Sequence, residues 1–212
     1  MPRFEKLDPS RLAEAAAHLK RADAKLARVI EAHGPCTLAP RGDPYRYLVR
    51  SILYQQLAGK AAATIERRFK AGFGGRVPAP AVLASQRDAK LRTFGLSRQK
   101  AAAVKAVGAA FESGIVSARR IPYLADDAIV ESVTQIRGVG DWTAHMLLMF
   151  ALGRPDVLPV GDYGVRKGAQ KLYGLRDLPK PDVLAKIAEP WRPFRTVGAW
   201  YLWRALELTT LE

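Results

Sequence analysis

An all-α fold is predicted by three features of this 212-residue sequence. Apolar residues recur at helical spacing, the alternation typical of strands is sparse, and caps, prolines and glycines fall where helices start and stop. At this length one domain spanning 1–212, or two closely joined subdomains, is the natural size. A hydrophobic content of 49% with 25% charged residues supports a buried core and excludes disorder.

The elements follow in order. Pro9 and Ser10 open an amphipathic stretch that reaches Ala32. Asp43 followed by Pro44 is a cap with proline at the first helical position, and it starts a helix over 45–57. A further helix is predicted over 58–69. Ser97 caps 98–111, Asp126 starts 126–136, and 142–152 follows a glycine turn. Helices over 162–173, 181–188 and 194–206 complete a bundle of about ten. The breakers sit between them, at 34–42, 72–80, 153–159, 174–180 and 189–193. None is long enough to be a flexible interdomain linker, and no repeat appears.

Charge and rare residues narrow the function. Lys and Arg number 34 against 20 Asp and Glu, giving a net charge of +14, with a pI near 10.2. That excess points to a polyanionic partner, most often nucleic acid. A single cysteine, Cys36, excludes an internal disulfide framework, a four-cysteine zinc site and a cysteine-held iron–sulfur cluster. His18, His33 and His145 are scattered, which disfavours a histidine metal site. The first eight residues carry no apolar run after their charges, and the longest apolar run, 146–152, is too short to span a bilayer. A cytoplasmic protein without a membrane partner is expected.

The most informative stretch runs from Glu131 to Phe150 and reads helix, Gly138-Val139-Gly140, helix. Two glycines one residue apart permit positive φ and leave the backbone uncovered. The Gly138 and Gly140 amides, with the Thr143 hydroxyl, are candidate donors to a phosphate over the turn. A plain tight turn between helices fits the same glycines. Asp162 then stands where the chain enters a helix after an apolar run. It reads both as an N-cap and as a rigidly held catalytic carboxylate, and the two roles are compatible.

Four blocks in this order resemble the helix-hairpin-helix (HhH-GPD) DNA glycosylase superfamily, in particular its 3-methyladenine DNA glycosylase II group. They are Leu48-Val-Arg-Ser-Ile-Leu-Tyr-Gln-Gln-Leu57 with Lys60-Ala-Ala-Ala-Thr64, Gly95-Leu-Ser-Arg-Gln-Lys100, the hairpin with Asp162, and Trp191-Arg-Pro-Phe-Arg-Thr-Val-Gly-Ala-Trp-Tyr-Leu-Trp203. The resemblance implies a compact multi-helix fold of two helical subdomains with the active-site cleft between them, the hairpin covering 126–152. It implies that Asp162 is the catalytic aspartate and that Gly138, Gly140 and Thr143 bind phosphate. Gln56 and Leu57 fall where the family inserts a wedge side chain, and Trp142, Met146 and Trp203 fall on base-pocket positions. The backbone carbonyls of Thr134, Ile136 and Val139 match positions that hold a monovalent cation, Na⁺ or K⁺, with no other cofactor. The N-terminal β-rich domain of longer members is expected to be absent. Gly161 stands where some relatives have a second acid, and Met146 replaces a pocket aromatic.

The chemistry agrees with these residues. Extruding a base costs a few kcal/mol of unstacking. Backbone contacts from the hairpin and from Arg166 and Lys167 offset it, although those two also fit a solvated helix face. Ordinary glycosidases use two carboxylates; one suffices when the leaving purine already carries positive charge. Relatives that also cleave the strand carry a lysine where Trp142 stands, and no lysine lies between Gly138 and Phe150. A monomeric, monofunctional glycosylase of duplex DNA containing alkylated bases is therefore expected, nucleoid-associated if the source is bacterial. The alternatives are a non-catalytic DNA-binding protein and a glycosylase for oxidised or mismatched purines.

Overall fold

The computed structural model describes residues 6–40, 42–57 and 59–208, and among them every regular element is helical. These residues divide into two compact units, one of 42–147 and one of 6–40 with 148–208.

The first unit contains α3 (Pro44–Tyr54), α4 (Gly59–Ala71), α5 (Pro80–Ala84), α6 (Asp88–Thr93), α7 (Arg98–Glu112), α8 (Asp126–Thr134) and α9 (Asp141–Leu147). Helix α7 is its spine, burying Ala101, Ala103, Val104, Val107 and Ala110. A Cβ on Gly108 would lie 2.8 Å from the Ala84 nitrogen, so this glycine lets α5 lie directly against α7. Helix α3 runs antiparallel to α7. Tyr45 at its start packs on Phe111, with ring centroids 5.2 Å apart, and near its end the Leu53 carbonyl accepts from Lys100 Nζ at 2.8 Å.

The second unit contains α1 (Pro9–Ala22), α2 (Ala24–His33), a π turn (Leu148–Leu152), α10 (Tyr163–Tyr173), α11 (Pro181–Ile187) and α12 (Arg195–Ala205). Helix α12 is its spine and buries eight residues, among them Val197, Trp200, Tyr201 and Leu202.

The expected boundaries need four corrections. The first amphipathic stretch is two helices, broken at Asp23, where the backbone is extended. One oxygen of Asp23 accepts from the Lys25 and Leu26 amides, and the other accepts from the Tyr173 hydroxyl and from Trp191 Nε1 at 2.9 Å. A half-buried carboxylate satisfied by four donors outweighs the continuity of the apolar pattern. The cap of α1 is Asp8, which accepts from the Arg11 amide at 2.8 Å, and Pro9 is the first helical residue. Helix α3 stops at Tyr54, three residues before Leu57, because Gln55 leaves helical geometry. The short α5 and α6 carry no period long enough to read. Ala58, the first residue of the expected 58–69 helix, lies outside the described residues.

Candidate active site

Two sets of site residues are assembled, one in each unit. In the first unit, Gly138 has φ +89° and packs against α7, where an added Cβ would come within 2.6 Å of the Ala103 Cβ. Gly140 has nothing within 4 Å of the same position. The turn between them is closed by the Val139 amide donating to the Ile136 carbonyl at 3.0 Å, and Gly140 then accepts from the Ala144 amide at 3.0 Å. Gly138 and Gly140 are exposed, whereas Thr143 is only 3% exposed. Of the three expected phosphate donors, the two glycines stand on the exposed turn and Thr143 is packed into the unit. His145, also on α9, has its pKa lowered by burial, with Asp141 opposing, so it adds no cation here at neutral pH.

Gln56 and Leu57 are both exposed on the turn after α3. Gln56 has φ +56°, a sparsely populated conformation for a residue with a side chain. The turn is held from both sides. Gln55 Nε2 donates to the Gly138 carbonyl at 3.1 Å, so the wedge positions and the hairpin are brought together directly. Behind the turn, Glu66 of α4 accepts from the Tyr54 hydroxyl at 2.7 Å and from Arg50 Nε at 3.3 Å. Burial alone would raise the Glu66 carboxyl. Hydrogen bonds from Lys70 and Tyr54, with the charges of Arg50 and Lys70, hold it below the usual carboxylate range. Trp142 stands in the first turn of α9 and is 48% exposed, while Met146, one turn on, is buried.

In the second unit, Asp162 caps α10 as expected. Its Oδ1 accepts from the Val165 amide at 2.7 Å and from Trp203 Nε1 at 2.9 Å. Asp162 is buried, and its own amide closes a turn onto the Pro159 carbonyl at 2.9 Å. The approach to it is bolted to α12. Thr196 Oγ1 donates to the Arg154 carbonyl at 2.6 Å and accepts from the Val157 amide at 2.9 Å. Arg195 grips Asp156 through Nε at 2.7 Å and Nη2 at 2.9 Å, the bidentate geometry that makes such pairs strong.

Trp203, an expected base-pocket position, donates its in-plane indole N–H to Asp162, and its ring stacks on Phe150, at 5.8 Å between centroids and 25° between planes. Sequence reasoning missed Gly164 and Gly168. A Cβ on Gly164 would stand 2.8 Å from Trp203 Cδ1, and one on Gly168 would stand 2.1 Å from the Leu202 carbonyl oxygen. Their signal was present: two glycines one turn apart in an eleven-residue helix, each destabilising by about 0.5–1 kcal/mol relative to alanine, indicate close packing. Arg166 is half-buried with Nε donating to the Pro179 carbonyl at 2.8 Å, so it ties down a loop. Lys167 is exposed and reaches Gln170 at 2.8 Å. Among the described residues no three His, Cys, Asp or Glu side chains gather to hold a metal ion, and no helix is long and apolar enough to cross a membrane.

Comparison with known proteins accords with this arrangement. The chain is 34% identical over 202 residues to DNA-3-methyladenine glycosylase 1 of Schizosaccharomyces pombe, covering 93% of this chain and 89% of that protein. The solved structure of the S. pombe 3-methyladenine DNA glycosylase Mag1 in complex with abasic DNA superposes with a TM-score of 0.83 at 32% identity, covering 92% of this chain and 98% of that one. A DNA-3-methyladenine glycosidase from Bacillus halodurans gives a TM-score of 0.82 at 35% identity, covering 97% and 92%. The profile of the HhH-GPD superfamily of base excision DNA repair proteins matches residues 49–193. With a glycine hairpin, a capping aspartate after it and a match over more than half its length, this chain belongs to the HhH-GPD superfamily of base excision DNA repair proteins.

Proposed function

We propose that this protein is a monofunctional DNA glycosylase that removes alkylated purines, such as 3-methyladenine and 7-methylguanine, from duplex DNA in base excision repair. The observation that carries the reading is Asp162: a buried carboxylate whose Oδ1 takes two N–H donors, one from its own helix and one from Trp203. Beyond the helix cap, a pure binding protein gains little from an anion that faces phosphates. The names of the relatives support an alkylated base as substrate.

In this reading the hairpin amides of Gly138 and Gly140 hold a backbone phosphate, and Gln56 or Leu57 fills the gap left by the extruded nucleotide. The carbonyls of Thr134, Ile136 and Val139 are assigned to a Na⁺ or K⁺ ion. Their oxygen chemistry fits a hard cation, and Thr134 ends α8, where carbonyls lack a donor from the next turn. Such an ion supplies positive charge beside the phosphate. The N-glycosidic bond breaks with its electron pair going to the purine, which neutralises the alkylated ring. The sugar is left oxocarbenium-like, and the Asp162 carboxylate stabilises that charge until water adds at C1′ and loses a proton. No external acid is required. The protein acts as a monomer on DNA, and the cytoplasm, at the nucleoid if the source is bacterial, is where it meets its substrate.

The test is incubation of the purified protein with methylated duplex DNA and chromatography of the released bases. The expected products are free 3-methyladenine or 7-methylguanine with the strand left intact, and no covalent adduct on addition of borohydride. No released base would favour the non-catalytic reading, and a trapped adduct would overturn the monofunctional assignment.

A further inference from the structure

The turn that carries Gln56 and Leu57 is linked to the hairpin by side chains to which no role has been given. Gln55 Nε2 donates to the Gly138 carbonyl at 3.1 Å. Gly138 in turn lies against Ala103, where no Cβ fits. Ala103 is one turn along α7 from Lys100, and Lys100 Nζ donates at 2.8 Å to the carbonyl of Leu53, in the last turn of α3. Burial lowers the Lys100 pKa, as expected for an ammonium tucked against the unit. The three contacts form a closed circuit: α7 to hairpin, hairpin to turn, and turn back to α7.

We infer that Gln55 and Lys100 are positioning residues that lock the inserting turn to the phosphate-holding hairpin, so that gripping the backbone and entering the base stack occur as one movement. This rests on the reading of Gln56 and Leu57 as the inserting turn of a DNA glycosylase. The physical reason is the exposure of the turn. Gln56 and Leu57 have little packing of their own, and Gln56 holds a positive φ. A loose turn would be displaced by the duplex rather than driven into it. A turn tied to the hairpin is pre-organised, because the phosphate contact fixes the hairpin and the hairpin fixes Gln55. Lys100 holds the other side by satisfying a carbonyl that the end of α3 leaves without a helical partner.

The test uses Gln55→Leu, which keeps bulk and neutrality but removes the donor, and Lys100→Met, which keeps the stem. Duplex opening is followed by the fluorescence of 2-aminopurine placed beside a mispair, and base release by single-turnover excision of 7-methylguanine. Affinity for undamaged duplex is measured in parallel, with circular dichroism to verify folding. The expected result for Gln55→Leu is an opening rate and a single-turnover rate both reduced about five- to tenfold, with affinity for undamaged duplex changed less than about twofold. Lys100→Met should slow opening similarly, and the double variant should lose less than the product of the two, because either break opens the circuit. A folded Gln55→Leu protein with unchanged opening would overturn the inference. So would equal losses in opening and in undamaged-duplex affinity, which would make Gln55 a plain contact residue. The opening measurement needs no catalysis, so failure of the wild type to release base would count against the proposed function and leave this inference separately decided.

Discussion

The hairpin of the first unit and the aspartate turn of the second each lead into a helix, and the glycines at the two places serve different ends. In the hairpin, Gly138 supplies a positive φ and a close approach to α7, and the backbone itself is left exposed at the turn. In the aspartate turn, Gly164 and Gly168 have ordinary helical geometry and supply space, so that α12 can bring Trp203 onto the Asp162 side chain. Binding DNA without regard to sequence is a task for amides that touch phosphate. Stabilising charge at one sugar carbon is a task for one side chain held in one orientation.

The contrast can be broken at its largest point first. Gly168→Ala sets a methyl against the Leu202 carbonyl, a backbone atom that cannot turn aside; urea unfolding should show a loss of about 3 kcal/mol or more. Gly138→Ala meets the Ala103 methyl and an unfavourable φ, for a loss of about 2 kcal/mol. Gly140→Ala, in open space, should stay within about 0.5 kcal/mol of wild type. Equal losses at Gly138 and Gly140 would mean that the two hairpin glycines do the same work, contrary to this account.

A smaller and more specific change sharpens the other side. Trp203→Phe keeps a ring on Phe150 but removes one of the two N–H donors on Asp162 Oδ1. Single-turnover excision should fall about tenfold, with affinity for undamaged duplex within about twofold, because the lost hydrogen bond orients the carboxylate and touches no DNA. A loss confined to binding of the alkylated duplex would mean that Trp203 acts through the base pocket and not through Asp162.

Much of this was legible in the sequence because it is local. The Gly138-Val139-Gly140 turn, the Ser97 cap and the Asp162 cap are each written within a few residues, and all three stand in the structure as expected. What was hidden is what joins distant segments. Gln55 lies 83 residues from Gly138 and Asp162 lies 41 from Trp203, and no helical or strand period connects such pairs. The break at Asp23 was masked for a related reason, since apolar spacing runs on across it and only Tyr173 and Trp191 show why the carboxylate turns inward.

The central claim is that Asp162 performs the chemistry while other groups hold the DNA. Asp162→Asn tests it most directly, because asparagine retains an oxygen for the Val165 amide and for Trp203 Nε1 while the other carboxylate oxygen becomes a neutral NH2 group and the charge is lost. Release of 7-methylguanine under single-turnover conditions and binding to a duplex containing an abasic analogue should be measured on the same preparation. The account predicts that release falls by about 10²–10³-fold or more while binding stays within a few-fold of wild type. Excision at the wild-type rate by a folded Asp162→Asn protein would contradict it.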